Sequence, residues 1–347
     1  MAASSSSSNP VDWEILVPAG PALAFHTGCV INNCLYIHGG VSRCGSTTPA
    51  DKLYRLSLEE PLWNEVRAPG CPAISHHTCI VQENRYMVLI GGWNGKKRTG
   101  DIFVFDTVEE KWITPHCEGF PHDAGLSSHT ATPLANGEIL ILGREGSLRI
   151  QRRTGNAFLL TGNVKKGFTF AEFSRGVTSR SGHTTNIIGS NMIVIGGRQD
   201  NLLELQNGFS SSHLTSAVCL EKIVPICATL QPMSKLPSGR KHHIAMSGPC
   251  GVFIHGGEAF YGLTREPVGD MYFIKIKPSV QFFNLSTSKV CRSGHICFTN
   301  GSKIFIHGGF TGKSFVCCDL YELKIAESPS VNKGPSSASK RTRSSLT

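Results

Sequence analysis

The sequence predicts an all-β fold made of repeated sheet units, and three observations predict it. Six apolar runs each end in a glycine step, at Gly39-Gly40, Gly91-Gly92, Gly143-Arg144, Gly196-Gly197, Gly256-Gly257 and Gly308-Gly309, with 52, 52, 53, 60 and 52 residues between the first glycines. A period near 50 residues marks units that cannot bury their apolar face alone and must stack on their neighbours. A histidine then precedes each step by 13 or 14 residues: His26, His77, His129, His183, His243 and His295. That interval fits two short strands and a tight turn. Finally, Asp51, Asp101, Asp270 and Asp319 each follow a step and open another apolar strand, and Trp63 and Trp112 stand nine residues past Tyr54 and Phe103.

The elements follow in order within each unit. The strands before the glycine steps read CLYIH at 34–38, YMVLI at 86–90, EILIL at 138–142, NMIVI at 191–195, CGVFIH at 250–255 and KIFIH at 303–307. Such β-branched and aromatic runs, bounded by Asn and Gly, are too short and too punctuated for helices. Four strands per unit is the count of a propeller blade. The run around Trp13 repeats the approach of Trp63 to His77, so the chain begins with the last strand of a blade, while the sixth unit ends after its third strand at Ile325. Pairing the N-terminal strand with the final blade removes the open edges of a linear array. The expected architecture is a single closed propeller of six blades, each of four antiparallel strands, over residues 12–325.

The recurring His, glycine pair, Asp, aromatic and Trp in one order resembles the kelch repeat. Units three and four depart from it: Arg144 replaces the second glycine, and the Asp and Trp are missing or displaced between residues 145 and 240. The resemblance implies a kelch-type β-propeller whose repeat glycines and Trp13, Trp63 and Trp112 are structural. It also implies that the arginines three residues before the histidine, Arg180, Arg240 and Arg292, lie at the mouth of the central channel. With Ser181 and Ser293 they would form a cationic rim suited to a carboxylate; the alternative is that they pair with Asp in the adjacent blade and merely hold the ring together. In the family's geometry the loops after the glycine steps rise on the same face and bring Arg43, Trp93, Asn94, Arg144, Arg198, Tyr261 and Phe310. Arginine and aromatic side chains of this kind make interface hot spots.

Composition sets limits. The 37 glycines suit a fold of many tight turns. Residues 1–11 are small and polar, without a secretory signal, and no run approaches the roughly 18 apolar residues of a membrane span. A cytoplasmic or nuclear location is therefore expected. The 13 cysteines are odd in number and lack a C-x-x-C pair, which reads as reduced structural thiols with no metal and no cofactor. The formal charge of +9 concentrates at residues 144–180 and in the Ser- and Lys-rich tail 326–347. The tail is expected to be disordered, with Lys340-Arg341-Thr342-Arg343 resembling a short basic import signal. A nucleic-acid partner is disfavoured because the basic unit lacks interleaved aromatics outside its strands. No nucleophile elbow, Walker loop or dinucleotide fingerprint occurs.

The function expected is a non-enzymatic protein-interaction module, an adaptor or regulatory scaffold, probed on the loop face. The alternative is a degron receptor of a cullin-type ubiquitin ligase reading an acidic peptide or C-terminus; an enzyme is a distant third. A monomer suffices for a closed ring. The longer fourth unit carries a Ser-rich insertion at 207–212, expected to be mobile decoration.

Overall fold

The computed structural model describes residues 9–122, 124–146, 157–173, 180–197, 203–209, 217–235, 237–261, 264–312 and 315–326. Its strands fall into six blades. Blade 1 is Thr27–Ile31, Cys34–His38, Leu53–Ser57 and Trp63–Val66, and blade 2 is Thr78–Gln82, Tyr86–Trp93, Arg98–Asp106 and Lys111–Ile113. Blade 3 is Ala124–Pro133, Ile139–Gly146, Ala157–Asn163 and Gly167–Phe173, its outer strand paired in parallel with Cys117–Glu118. Blade 5 is Ile244–Gly248, Gly251–His255, Asp270–Lys275 and Gln281–Thr287. The six inner strands lie side by side, and that of blade 6 (Ile296–Asn300) returns to that of blade 1.

Blade 4 departs from the expected four strands: among the described residues it has three, His183–Ile188, Asn191–Gly196 and Leu203–Asn207. Part of the Ser-rich insertion, residues 210–212, lies outside the described residues. The segment after it is not decoration. A short 3-10 turn and the helix Ile223–Thr229 bury Leu220, Ile223, Ile226 and Cys227 against Phe253, Phe283 and Trp13. The spacing of three and four residues puts those side chains on one helical face, a pattern too brief to stand out in the sequence.

Among the described residues no sheet closes on itself by hydrogen bonds. The ring is joined at blade 6, where Val11–Val17 pairs antiparallel with Leu320–Ile325 from Val11 opposite Ile325 to Val17 opposite Leu320. The second strand of each blade is covered on both flat faces by neighbouring blades. Met87, Val88, Leu89 and Ile90 are therefore all fully buried, which is why these strands read as continuous apolar runs rather than alternating ones.

The histidines and tryptophans tie blade to blade. His38 Nε2 donates to the Pro72 carbonyl at 3.0 Å, so its Nδ1 accepts from His77 Nε2, also 3.0 Å away. His255 donates to Val290 and accepts from His295 in the same way, and His307 Nδ1 meets His26 Nε2 at 3.0 Å. Against these three rings stand Trp112, Trp13 and Trp63, with centroids 5.2, 5.1 and 5.0 Å away. Where a blade has Ile90, Leu142 or Ile195 in place of that histidine, a threonine serves the next blade: Thr78 Oγ1 meets His129 Nε2 at 3.0 Å, Thr130 meets His183 at 3.3 Å and Thr184 meets His243 at 3.1 Å. The missing tryptophans of units three to five are thus explained. A blade carries the tryptophan only when the blade before it offers a histidine.

Candidate functional site

The residue before each repeat histidine sits at the inner rim of the channel, at the end of the ring where the glycine steps lie. These six residues, Phe25, His76, Ser128, Gly182, His242 and Gly294, all adopt left-handed backbone, with φ of 54, 56, 51, 71, 54 and 65°. Their amides form a closed circle. His76 donates to the Phe25 carbonyl, Ser128 to His76, Gly182 to Ser128, His242 to Gly182, Gly294 to His242 and Phe25 to Gly294, at 2.7 to 3.0 Å. Left-handed φ at a non-glycine residue costs about 1 kcal/mol or more. Here it is held by a bond to each neighbouring blade.

The side chains of this collar roof the channel. Phe25 stacks on His76 with centroids 4.1 Å apart, meets His242 edge-on at 4.9 Å and leans on Phe310 at 5.6 Å. Ser128 Oγ lies 3.4 Å from His242 Nε2. Glycine is required at the other two positions. A Cβ on Gly294 would stand 2.7 Å from the Phe25 ring, and one on Gly182 2.5 Å from the His242 ring. What remains open is a shallow cleft of about 120 Å³ lined by the collar and the repeat histidines.

Hairpins flank the roof. Residues entering the collar pair with segments leaving the glycine steps: Ala24 with Val41, Ser75 with Trp93, Lys241 with Glu258 and Ser293 with Phe310. Glu258 is the charged centre of the rim. Lys241 Nζ lies 3.2 Å from it, His242 Nδ1 3.6 Å, and Ser293 Oγ donates to it at 3.3 Å. Burial raises its pKa, but the His242 ring and Lys241 outweigh that and hold the carboxyl at about 2. Burial, then the charges of His242, Arg98 and Lys241, push His76 down to about 3.

The three arginines expected at the rim are turned into the blades. Arg240 is fully buried, with Nη1 donating to the Gly256 carbonyl at 3.0 Å, Nη2 3.5 Å from Asp270 and its guanidinium over the Tyr272 ring. Arg292 binds both oxygens of Asp319 at 3.0 and 2.9 Å and lies over Tyr321. Arg180 donates to the Gly196 carbonyl and pairs with Glu204. Each pairs within its own blade, so the cationic rim is corrected to three internal braces, and the sequence expectation of an Asp in the adjacent blade is corrected with it. Removing the buried guanidinium leaves the half-buried Asp270 with only Tyr272 and frees the Gly256 carbonyl, so Arg240→Ala is expected to cost about 3 kcal/mol in urea-induced unfolding.

Of the other expected site residues, Ser293 is buried and bound to Glu258, while Ser181 is half-buried. Trp93 is half-buried with its indole donating to the Thr47 carbonyl at 2.8 Å, and Asn94 caps its own turn by accepting from Lys96 and Lys97. Arg43 is exposed and Phe310 half-buried beside Phe25. Arg144 pairs with Leu126 in blade 3, and Tyr261 lies in the strand Glu258–Tyr261; Arg198 lies outside the described residues. The structure thus gathers Trp93, Phe310 and Ser293 around a collar the sequence did not reveal. The only sequence signal was position, one residue before the histidine, since the residue types there differ.

The chain is similar to known proteins. The KLHDC2/KLHL20/DRC7 kelch-repeats domain matches residues 8–144. Kelch domain-containing protein 9 of Mus musculus is 27% identical over 321 residues, covering 87% of this chain and 90% of its own, and that of Homo sapiens is 26% identical, covering 83% and 88%. Adagio protein 3 of Arabidopsis thaliana is 25% identical across 91% of this chain but only 52% of its own length. The solved structure of YjhT, 14% identical, superimposes with a TM-score of 0.63 over 88% of this chain and 95% of that one, a likeness of fold. Kelch-repeat proteins generally mediate protein–protein interaction. No helix among the described residues is long and apolar enough to cross a membrane. Six blades with the recurring histidine, glycine step and tryptophan, together with the likeness to kelch proteins over most of the chain, support membership of the kelch-repeat family.

Proposed function

We propose that the protein is an interaction module, an adaptor or regulatory scaffold, whose partner lies across the collar face. The observation that carries this reading is the roof of Phe25, His76 and His242, which gives the partner a surface to rest on rather than a channel to enter. Beside it the hairpin of Phe310–Thr311 and Phe315–Val316 holds up Phe315, which is 70% exposed. An aromatic edge next to a polar rim is the composition of a hot spot. The three internal arginines are committed to Glu204, Asp270 and Asp319, so a folded partner is favoured over a free acidic peptide.

The test is quantitative capture of partners from cells with the full chain and two variants. Phe310→Ala with Phe315→Ala is expected to lower recovery about tenfold or more, as loss of a hot spot does, with circular dichroism unchanged. Lys165→Ala with Lys166→Ala, in the turn at the opposite end of blade 3, is expected to leave recovery as it is. Equal recovery by all three proteins would overturn the reading.

A further inference from the structure

We propose that Cys29 and Cys79 form a reversible disulfide, made by hydrogen peroxide, that ties blade 1 to blade 2 at the wall of the channel. Both lie on inner strands, Thr27–Ile31 and Thr78–Gln82, which run beside each other around the axis. They pack in one apolar cluster with Ile31, Ile74 and Leu89. Cys79 Sγ donates to the carbonyl of Gly28, the residue before Cys29, at 3.2 Å. The two thiols thus pack on the same seam between the blades.

The chemistry is asymmetric in a useful way. The hydrogen bonds from Cys29 and Thr27 hold the Cys79 thiol below its usual value against burial, while the same contact and burial push Cys29 well up. Of the two, Cys79 is the thiol that gives up its proton more readily, and so the one that attacks a peroxide first. The strand of Cys79 pairs with Tyr86–Trp93 and is flanked by the inner strands of blades 1 and 3, and Cys79 itself is half-buried rather than sealed.

In the first step Cys79 sulfur attacks one peroxide oxygen, the O–O bond breaks, and the departing hydroxide takes the Cys79 proton to become water, giving the sulfenic acid. In the second, Cys29 sulfur attacks Cys79 sulfur, the S–O bond breaks, and the departing hydroxide takes the Cys29 proton. One peroxide is reduced to two waters and two thiols become one disulfide. A dithiol reductant reverses it. The link would close a loop across the boundary between two blades and restrain the collar segments at Phe25 and His76, which lead into these two strands.

The experiment treats the full chain with hydrogen peroxide, alkylates it, and maps the peptides without reduction. The expected result is the loss of alkylation at Cys29 and Cys79 together, a linked peptide joining them, and recovery of both thiols with dithiothreitol. In Cys29→Ala, where no partner is present, dimedone is expected to label Cys79. The proposal is overturned if Cys29 and Cys79 stay alkylatable while the exposed Cys44 and Cys250 oxidise, or if either forms its link with another cysteine.

Discussion

Acidification is expected to unfold this protein between pH 6 and pH 5, well above the range in which carboxylates protonate. His38, His129, His183, His255 and His307, with His76 at the collar, are held near 3, each chiefly by burial, against a usual value of 6.5. His26, His77, His243 and His295 are lowered for the same first reason. The unfolded chain binds protons at these sites below pH 6.5 and the folded chain does not until far lower. Their contribution to stability is therefore complete above about pH 7 and is lost as pH falls from 6.5 towards 3. Each such histidine removes about 1.4 kcal/mol by one pH unit below its free value. The six near 3 then remove about 8 kcal/mol by pH 5.5, within the whole stability of a typical domain of about 5–15 kcal/mol. Far-UV circular dichroism followed from pH 8 to pH 3 checks this, and a fold that survives to pH 4 would contradict it.

Trp13→Ala is expected to destabilise the propeller by about 3–5 kcal/mol, as loss of a large buried aromatic does. The effect is larger in kind than at Trp63 or Trp112, because Trp13 sits on the strand that joins the ring. It packs on Phe253 and His255 of blade 5 while its backbone pairs with Leu323 of blade 6. Val11 beside it is fully buried, Ser286 Oγ donates to its carbonyl at 2.7 Å, and Ser288 Oγ donates to Asp12 at 2.6 Å. One short strand thus holds two blades. Deleting residues 1–17 would expose the edge of Leu320–Ile325 and the apolar cluster behind it, and the truncated chain is expected to aggregate on expression. Chemical denaturation of Trp13→Ala and size-exclusion chromatography of the truncation measure the two effects. A truncated chain that elutes as a folded monomer would show that the ring is held elsewhere.

The blades were legible because the physics of stacking repeats at every one of them. A strand covered on both faces is apolar along nearly its whole length, and a glycine follows it: at Gly40, with φ of 81°, a Cβ would stand 2.5 Å from the Ala24 carbonyl, and only the third unit, with Arg144, lacks the second glycine. The collar was not legible. Left-handed backbone usually announces itself as glycine, but at Phe25, His76, Ser128 and His242 the interblade amide bond holds it instead. The arginines were found and their direction was not. Asp270 and Asp319 were visible as repeat residues, yet that they are the partners of Arg240 and Arg292 depends on how the blade folds over itself, and Glu204 at the matching place in blade 4 breaks the pattern. The buried helix of residues 223–229 escaped because it sits in an insertion with no second copy to compare.

The most direct test of the collar face as the recognition surface is amine crosslinking of a captured complex, read by mass spectrometry. Lys96, Lys97 and Lys241 stand on or beside that face, whereas Lys111, Lys165, Lys166 and Lys303 lie at the turns of the opposite end. Crosslinks from the partner to the first group are the predicted result. Crosslinks confined to the second group would contradict the account.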